Sequence, residues 1–299
     1  MKKFFALITK PTNVYEIYSI ISFYNIKDVT LYVAECPWSS YPDIKNYCAH
    51  KLKKKTLKLN IKQIKNKDIL KIDWIKRLNF FNIVALPMSL KSFYTIIRKL
   101  RASKIKTIQI SDGAVNSLSL IKYIFATKIN SFFSLHKIFT YFIYKINIMD
   151  ECFFTCYPLK AALSKATLPV SKYFLPDQKI IRLLKKNKIE DLILGKRDRN
   201  DTLHNVNKII KKNKIINYCL YERGKKIIII NGKNIKLKNI MITEEIINTN
   251  LIKRVHGGIS TVTFYAKINK IKVNLTLSEF KPFFLYYLMK KKFFEINHK

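Results

Sequence analysis

Short apolar runs alternate along the chain with longer segments whose apolar residues recur at helical spacing. Phe4–Thr9, Val29–Ala34, Phe80–Leu86 and Lys106–Ser111 are compact runs rich in β-branched and aromatic residues, and they predict strands. Leu57–Ile64 is a further strand candidate. Asn13–Tyr24, Asp43–Lys54, Asp68–Leu78, Leu90–Lys104 and Asn116–Thr127 predict helices; Ile69, Ile72 and Ile75 mark the apolar face of the third. Strands separated by helical segments argue for βαβ units around a parallel sheet. Lys160–Lys188 is the least patterned stretch, carries Pro169 and Pro176, and predicts a linker.

Beyond that linker the alternation restarts. Asp191–Leu194, Ile216–Tyr221, Ile252–His256 and Val273–Leu277 predict strands, and Ile227–Ile230 another, with a turn at Asn231-Gly232. Asp201–Lys212, Thr243–Asn250, Ser260–Ala266 and Pro282–Phe294 predict helices. The expectation is an α/β protein of two Rossmann-like domains, 1–165 and 166–299, facing a central cleft. Ligands of such sheets bind at the carboxyl ends of the strands.

Composition changes this picture little. The 299 residues are 48% hydrophobic, enough for two cores. Lys and Arg number 57 against 19 Asp and Glu, a formal charge of +38. Only eight of the 57 are Arg, and the chain is rich in Lys, Ile, Asn, Phe and Tyr, the bias of an AT-rich genome. The charge is therefore weak evidence of a partner, and with no helix-turn-helix, OB or RRM signature no specific nucleic acid is expected. Cys36, Cys48, Cys152, Cys156 and Cys219 form no CxxC pair, so buried thiols in a reducing compartment are expected, and no metal. No apolar stretch reaches about 18 residues without charge, so no membrane-crossing helix is expected.

Three strand ends carry candidate chemistry. Asp112-Gly113 follows the strand Lys106–Ser111; the carboxylate suits a general base, or a turn that caps the helix from Asn116. His256-Gly257-Gly258-Ile259-Ser260-Thr261 follows a strand and opens a helix, an arrangement for holding an anion, or an ordinary glycine turn with a Ser cap. Gly195-Lys196-Arg197 can cradle phosphate or be a solvated basic loop. No HExxH, GxSxG or GxGxxG pattern occurs.

The order of these motifs is similar to that of the bacterial sialyltransferases of glycosyltransferase family 52 and their polysialyltransferase relatives. ISDGAVNSL resembles their acidic-Asp-Gly motif, DLILGKRDRN the opening of their second domain, and ITEEIINTN with VHGGISTVTF their acidic helix and serine-bearing turn. Two departures stand out: Ser111 replaces the first acid, and Tyr221-Glu222-Arg223-Gly224 stands where the family has His-Pro.

The resemblance implies a GT-B fold and an inverting, metal-independent transfer of a nonulosonic acid from a CMP-sugar donor, with no cofactor. The acceptor would be a hydroxyl of a surface glycan, such as lipooligosaccharide or capsule. It casts Asp112 as base, with Arg223 or His256 as the substitute for the missing His and His256 counted as catalytic. Gly113, Gly195, Lys196, Arg223, Gly257, Gly258, Ser260 and Thr261 become substrate-binding. A GT-B transferase using another nucleotide sugar is the alternative, followed by an inactive basic protein that binds glycan or nucleic acid. Aromatics beside Lys290, Lys291 and Lys292 in the last helix predict peripheral attachment to an anionic membrane surface, on the cytoplasmic face of the inner membrane, or packing of that helix against the N-terminal domain.

Overall fold

The computed structural model describes residues 2–35, 39–53, 57–65, 68, 76–87, 93–110, 148–161, 164–170, 174–195, 199–222, 224–275 and 283–296. The chain forms two compact units, Met1–Lys172 with Lys281–Lys292, and Tyr173–Phe280 with Phe293–Lys299. Each is a Rossmann-like α/β unit, and the fold is GT-B-like.

In the first unit β1 (Lys3–Ile8), β2 (Asp28–Ala34), β3 (Lys58–Ile64), β4 (Ile83–Pro87), β5 (Lys106–Ile110), β6 (Met149–Phe154) and β7 (Ser164–Pro169) form one sheet in the order β3-β2-β1-β4-β5-β6-β7. Every pairing is parallel. β1 and β4 are buried almost end to end, which is why they read as continuous apolar runs without alternation. α1 (Asn13–Phe23) and α2 (Tyr41–Leu52) connect the first three strands, and α3 (Phe93–Ala102) precedes β5. Ser40 caps α2 by accepting from the Asp43 N–H, with Pro42 in the first turn. After β1 the chain turns at Thr9 and Lys10, whose N–H groups donate to the Asn13 side chain at 3.2 and 3.1 Å.

Two strands of this sheet stand where no strand is expected. β6 and β7 extend the first sheet, and a domain boundary after residue 165 would cut β7 in the middle. The acids of β6 are held from afar. Asp150 accepts from the Thr107 hydroxyl and N–H at 2.9 and 3.0 Å, and Glu151 takes Lys106 at 2.6 Å and the Tyr24 hydroxyl. The helix expected over Asn116–Thr127 lies outside the described residues, as does most of the one over Asp68–Leu78.

The second unit opens with α4 (Gln178–Lys186), inside the expected linker. Its strands are β8 (Asp191–Leu194), β9 (Tyr218–Tyr221), β10 (Ile227–Ile230), β11 (Lys233–Lys236), β12 (Arg254–Gly257) and β13 (Lys272–Leu275), ordered β11-β10-β9-β8-β12-β13. β9, β8, β12 and β13 run parallel; β10 and β11 form an antiparallel hairpin at the edge. The hairpin turns at Asn231 (φ 48°) and Gly232 (φ 81°), the left-handed pair that a two-residue turn requires.

α5 (Arg199–Asn213) joins β8 to β9, α6 (Thr243–Ile247) leads to β12, and α7 (Thr261–Ile268) joins β12 to β13. Leu192, Val255 and Cys219 pack on one face of the sheet with Leu184 of α4, Ile246 of α6 and Tyr265 of α7. Ile193 and Leu220 pack on the other with Val206 of α5. The last helix, α8, spans Phe283–Phe294. Among the described residues no helix is long and apolar enough to cross a membrane.

Candidate functional site

The second sheet changes direction of growth at β8. From β8 the chain moves through α5 to β9 on one side, and later returns through α6 to β12 on the other. The carboxyl ends of β8 and β12 therefore part around a switch point, the place where doubly wound sheets hold their ligands. Leu194 and Gly195 stand at the end of β8, and Gly257 and Gly258 at the end of β12.

Gly257 is there for close approach. A Cβ on it would lie 2.8–3.0 Å from Cδ1, Cβ and Cγ of Leu194, so only glycine lets β12 run this near β8. Gly195 meets the next strand in the same way: a Cβ would come within 3.2 Å of Glu222 Cβ, just past β9. The Gly195 N–H donates to the Tyr221 carbonyl at 3.1 Å. The Tyr221 hydroxyl in turn donates to the Met241 carbonyl at 2.5 Å, tying the end of β9 to the chain that enters α6.

Past Gly258 the chain enters α7 through a capping box. The Ser260 hydroxyl accepts from the Thr263 N–H at 3.3 Å, and the Ser260 N–H donates to the Thr263 hydroxyl at 2.9 Å. Ser260 thus plays the cap role that was the alternative reading of this motif. The cap uses an acceptor lone pair of its hydroxyl and not the O–H bond itself. The positive end of the α7 dipole and its first-turn N–H groups face the end of β12.

His256 lies elsewhere. It is fully buried, one residue before the end of β12. Its Nε2 stands 2.7 Å from an Asp191 oxygen, and the Asn274 amide nitrogen stands 3.3 Å from its Nδ1. With the Asn274 amide donating to Nδ1, the proton resides on Nε2 and points at Asp191. Arg254 Nε and Nη2 donate to the same carboxylate at 2.7 and 2.6 Å. Burial pushes the His256 pKa below its ordinary value although Asp191 opposes it. Burial also works against the Asp191 charge, but the hydrogen bonds from Arg254 and His256 outweigh it and hold that carboxyl low. These contacts brace β8, β12 and β13 together.

Of the remaining expected residues, Gly195, Gly257, Gly258, Ser260 and Thr261 fall at the ends of two adjacent strands of one sheet. Asp112, Gly113, Lys196 and Arg223 lie outside the described residues. Glu222, which the sequence offered only as the occupant of a missing motif, stands at the third strand end of the same edge.

No protein-family model matches the chain, and no curated protein sequence matches it. Solved structures do. The S. aureus MnaA–UDP complex superposes with a TM-score of 0.51 at 13% identity, covering 93% of this chain and 80% of that one. A Listeria monocytogenes UDP-N-acetylglucosamine 2-epimerase structure gives 0.50 at 11%, covering 99% and 82%. At these identities the shared property is the fold. The likeness is to a UDP complex and to a structure named for UDP-N-acetylglucosamine 2-epimerase, and it overturns the family 52 sialyltransferase reading together with its CMP-sugar donor and glycosyl transfer.

Proposed function

We propose that the protein binds a UDP-activated N-acetylhexosamine at the carboxyl edge of its second sheet and inverts the sugar at C2. The observation that carries the binding part is the Gly257–Leu194 approach at the β8/β12 switch point, directly before the N-terminus of α7. Such a turn brings backbone N–H groups to an anion without side chains in the way. Gly195, Gly257, Gly258, Ser260 and Thr261 line the diphosphate in this reading, with Lys196 and Arg223 adding charge. The Ser260 O–H and the α7 dipole face the phosphate oxygens. The sugar chemistry rests on the epimerase likeness of the fold. Taking the proton from C2 pushes the C–H electron pair into a C1=C2 double bond and expels UDP from C1; return of UDP to C1 with delivery of a proton to the other face of C2 completes the inversion, and Asp112 is the carboxylate proposed to take the first proton.

Thermal-shift measurement against UDP, CMP, GDP and ADP tests the binding part, since a bound nucleotide raises apparent stability by mass action. UDP is expected to give the largest shift. A shift with CMP alone, or none with UDP, would end the reading. Proton NMR of UDP-N-acetylglucosamine incubated with the protein tests the chemistry, with a second C2 epimer as the expected product.

We also infer that the protein works against an anionic membrane surface. Leu288, Met289 and Phe293 of α8 are buried, with Phe293 packed on Phe264, whereas Tyr287, Lys290, Lys291 and Phe294 are exposed at i, i+3, i+4 and i+7. Aromatics can enter the headgroup layer while lysine stems reach outward. Sedimentation with anionic vesicles at about 0.15 M salt, but not with neutral ones, is expected. Equal recovery in both supernatants removes the membrane from the account.

A further inference from the structure

We propose that a cavity on the first sheet is a binding site for a small aromatic carboxylate. The register sets Phe5 of β1, Thr30 and Tyr32 of β2, and Asn60 and Lys62 of β3 on one face of three adjacent strands. Val29, Leu31 and Val33 take the other face and are fully buried, whereas Thr30 and Tyr32 are half-buried. The chain that leads into β4 supplies the rest. Buried Leu78 anchors a one-turn 3-10 helix, Leu78–Phe80, and Arg77, Phe80 and Phe81 complete a cavity of about 220 Å³. It sits toward the middle of these strands and just before the amino end of β4, away from the carboxyl edge at which doubly wound sheets hold their substrates.

The floor of the cavity is aromatic. The Phe5 ring meets Tyr32 edge-on at 5.1 Å, and Phe81 at 5.4 Å with a tilt of 57°. Phe80 stands at the rim, 74% exposed. A planar ring entering there meets aromatic faces and edges, the arrangement such rings prefer. Lys62 and Arg77 flank this floor, and neither ion-pairs with a described residue. Asp28, an acid on the same face, stands beside Lys58 in the register. The two cations therefore keep their donors for a bound anion, and the planar Arg77 fork matches a carboxylate in two parallel bonds. Asn60 and Thr30 add neutral donors and acceptors, which suit a ring hydroxyl. The cavity is smaller than the roughly 300–1,000 Å³ that holds drug-sized ligands, so one ring fits and a nucleotide does not. A neutral ring would leave the cations unused, and a bare anion would leave the aromatic floor wet. One ring bearing one acid uses both.

The test is calorimetric titration of the full-length protein with 4-hydroxybenzoate and two controls. The controls are 4-hydroxybenzamide, which keeps the ring and loses the charge, and acetate, which keeps the charge and loses the ring. Wild type is expected to bind the acid at one site and each control roughly tenfold more weakly or worse, the worth of a charge-assisted hydrogen bond. Arg77→Ala should weaken the acid by about the same factor, and Lys62→Ala and Phe80→Ala should each weaken it measurably. Lys233→Ala, which removes one charge from β11, should leave it unchanged. All four side chains are exposed, so the variants should melt as wild type does, which separates lost contacts from misfolding. Saturating UDP should not displace the acid. Absence of saturable binding, or equal affinity for acid and amide, overturns the site. An equal loss in Lys233→Ala does so too, because it marks general attraction to a chain of charge +38. Displacement by UDP also overturns it, because the acid then occupies the nucleotide's place.

Discussion

At Gly257 a single methyl group decides whether β12 can lie where it does. Its closest neighbours include Cβ and Cγ of Leu194, which cannot swing aside as a side-chain tip can. Gly257→Ala should cost about 1–3 kcal/mol by overpacking, read as a lower urea midpoint. Gly195→Ala, facing Glu222 Cβ at 3.2 Å, should cost less. The His256–Asp191 pair gives stability a definite pH dependence. His256 has a lowered pKa when folded, so below about 6.5 the unfolded chain takes up a proton that the folded chain resists, and stability falls with pH. Asp191, also held low, adds stability above its ordinary value that is lost as pH falls further, through its depressed pKa. Urea midpoints at pH 8, 6 and 5 should decline, and His256→Gln should flatten the step between 8 and 6; an unaltered slope in that variant contradicts the pairing. Their pairing was not legible in the sequence, because 65 positions separate them and only the β8–β12 register brings them together. Burial likewise pushes the Cys48 thiol up to about 12 and the Cys152 and Cys219 thiols well above their ordinary value. Those thiols should resist thiol reagents until the protein unfolds.

Elements with one dominant period were plain from the sequence, and those shaped by distant partners were not. β1 and β4 are apolar runs buried almost throughout, β5 is buried beyond Lys106, and β2 alternates buried with half-buried residues; each pattern marks a strand in the sequence. β6 carries Asp150 and Glu151 after Met149, and their partners Thr107, Lys106 and Tyr24 lie 43 to 127 positions away, so local pattern speaks against a strand. β7 is a half-exposed edge strand with little apolar content, the composition by which edges avoid pairing with other chains. β11 repeats this with Lys233 and Lys236; its turn at Asn231-Gly232 was read while its strand was not. The cap of α7 yields the sharpest test at this scale. Ser260→Ala should lose about 1 kcal/mol of stability with the capping bond. Ser260→Asp keeps a good cap but sets a carboxylate against the phosphate, so folding should hold while UDP affinity drops at least tenfold. Wild-type UDP affinity in Ser260→Asp would place the phosphate away from α7.

Across the whole molecule the sequence showed two Rossmann-like halves but not the donor. The order of strand, acidic-Gly turn, second-domain Gly turn and late serine-bearing turn follows from βαβ topology itself. Any pair of nucleotide-binding sheets presents small residues at strand ends in that order. The match to sialyltransferase motifs therefore recorded the architecture, and the solved structures that share the fold include a UDP complex and one named for UDP-N-acetylglucosamine 2-epimerase. Ser260 was legible because a helix start favours a hydroxyl cap and Gly257 because a turn after a strand favours glycine, whereas the place of Glu222 follows only from β9 lying beside β8. The most direct test is hydrogen–deuterium exchange of the full-length protein with and without saturating UDP. The account expects slowed exchange at residues 192–195, 219–222 and 257–264, three strand ends of one edge, and no such change with CMP. Protection confined to the first sheet, or no protection by UDP anywhere, would contradict it.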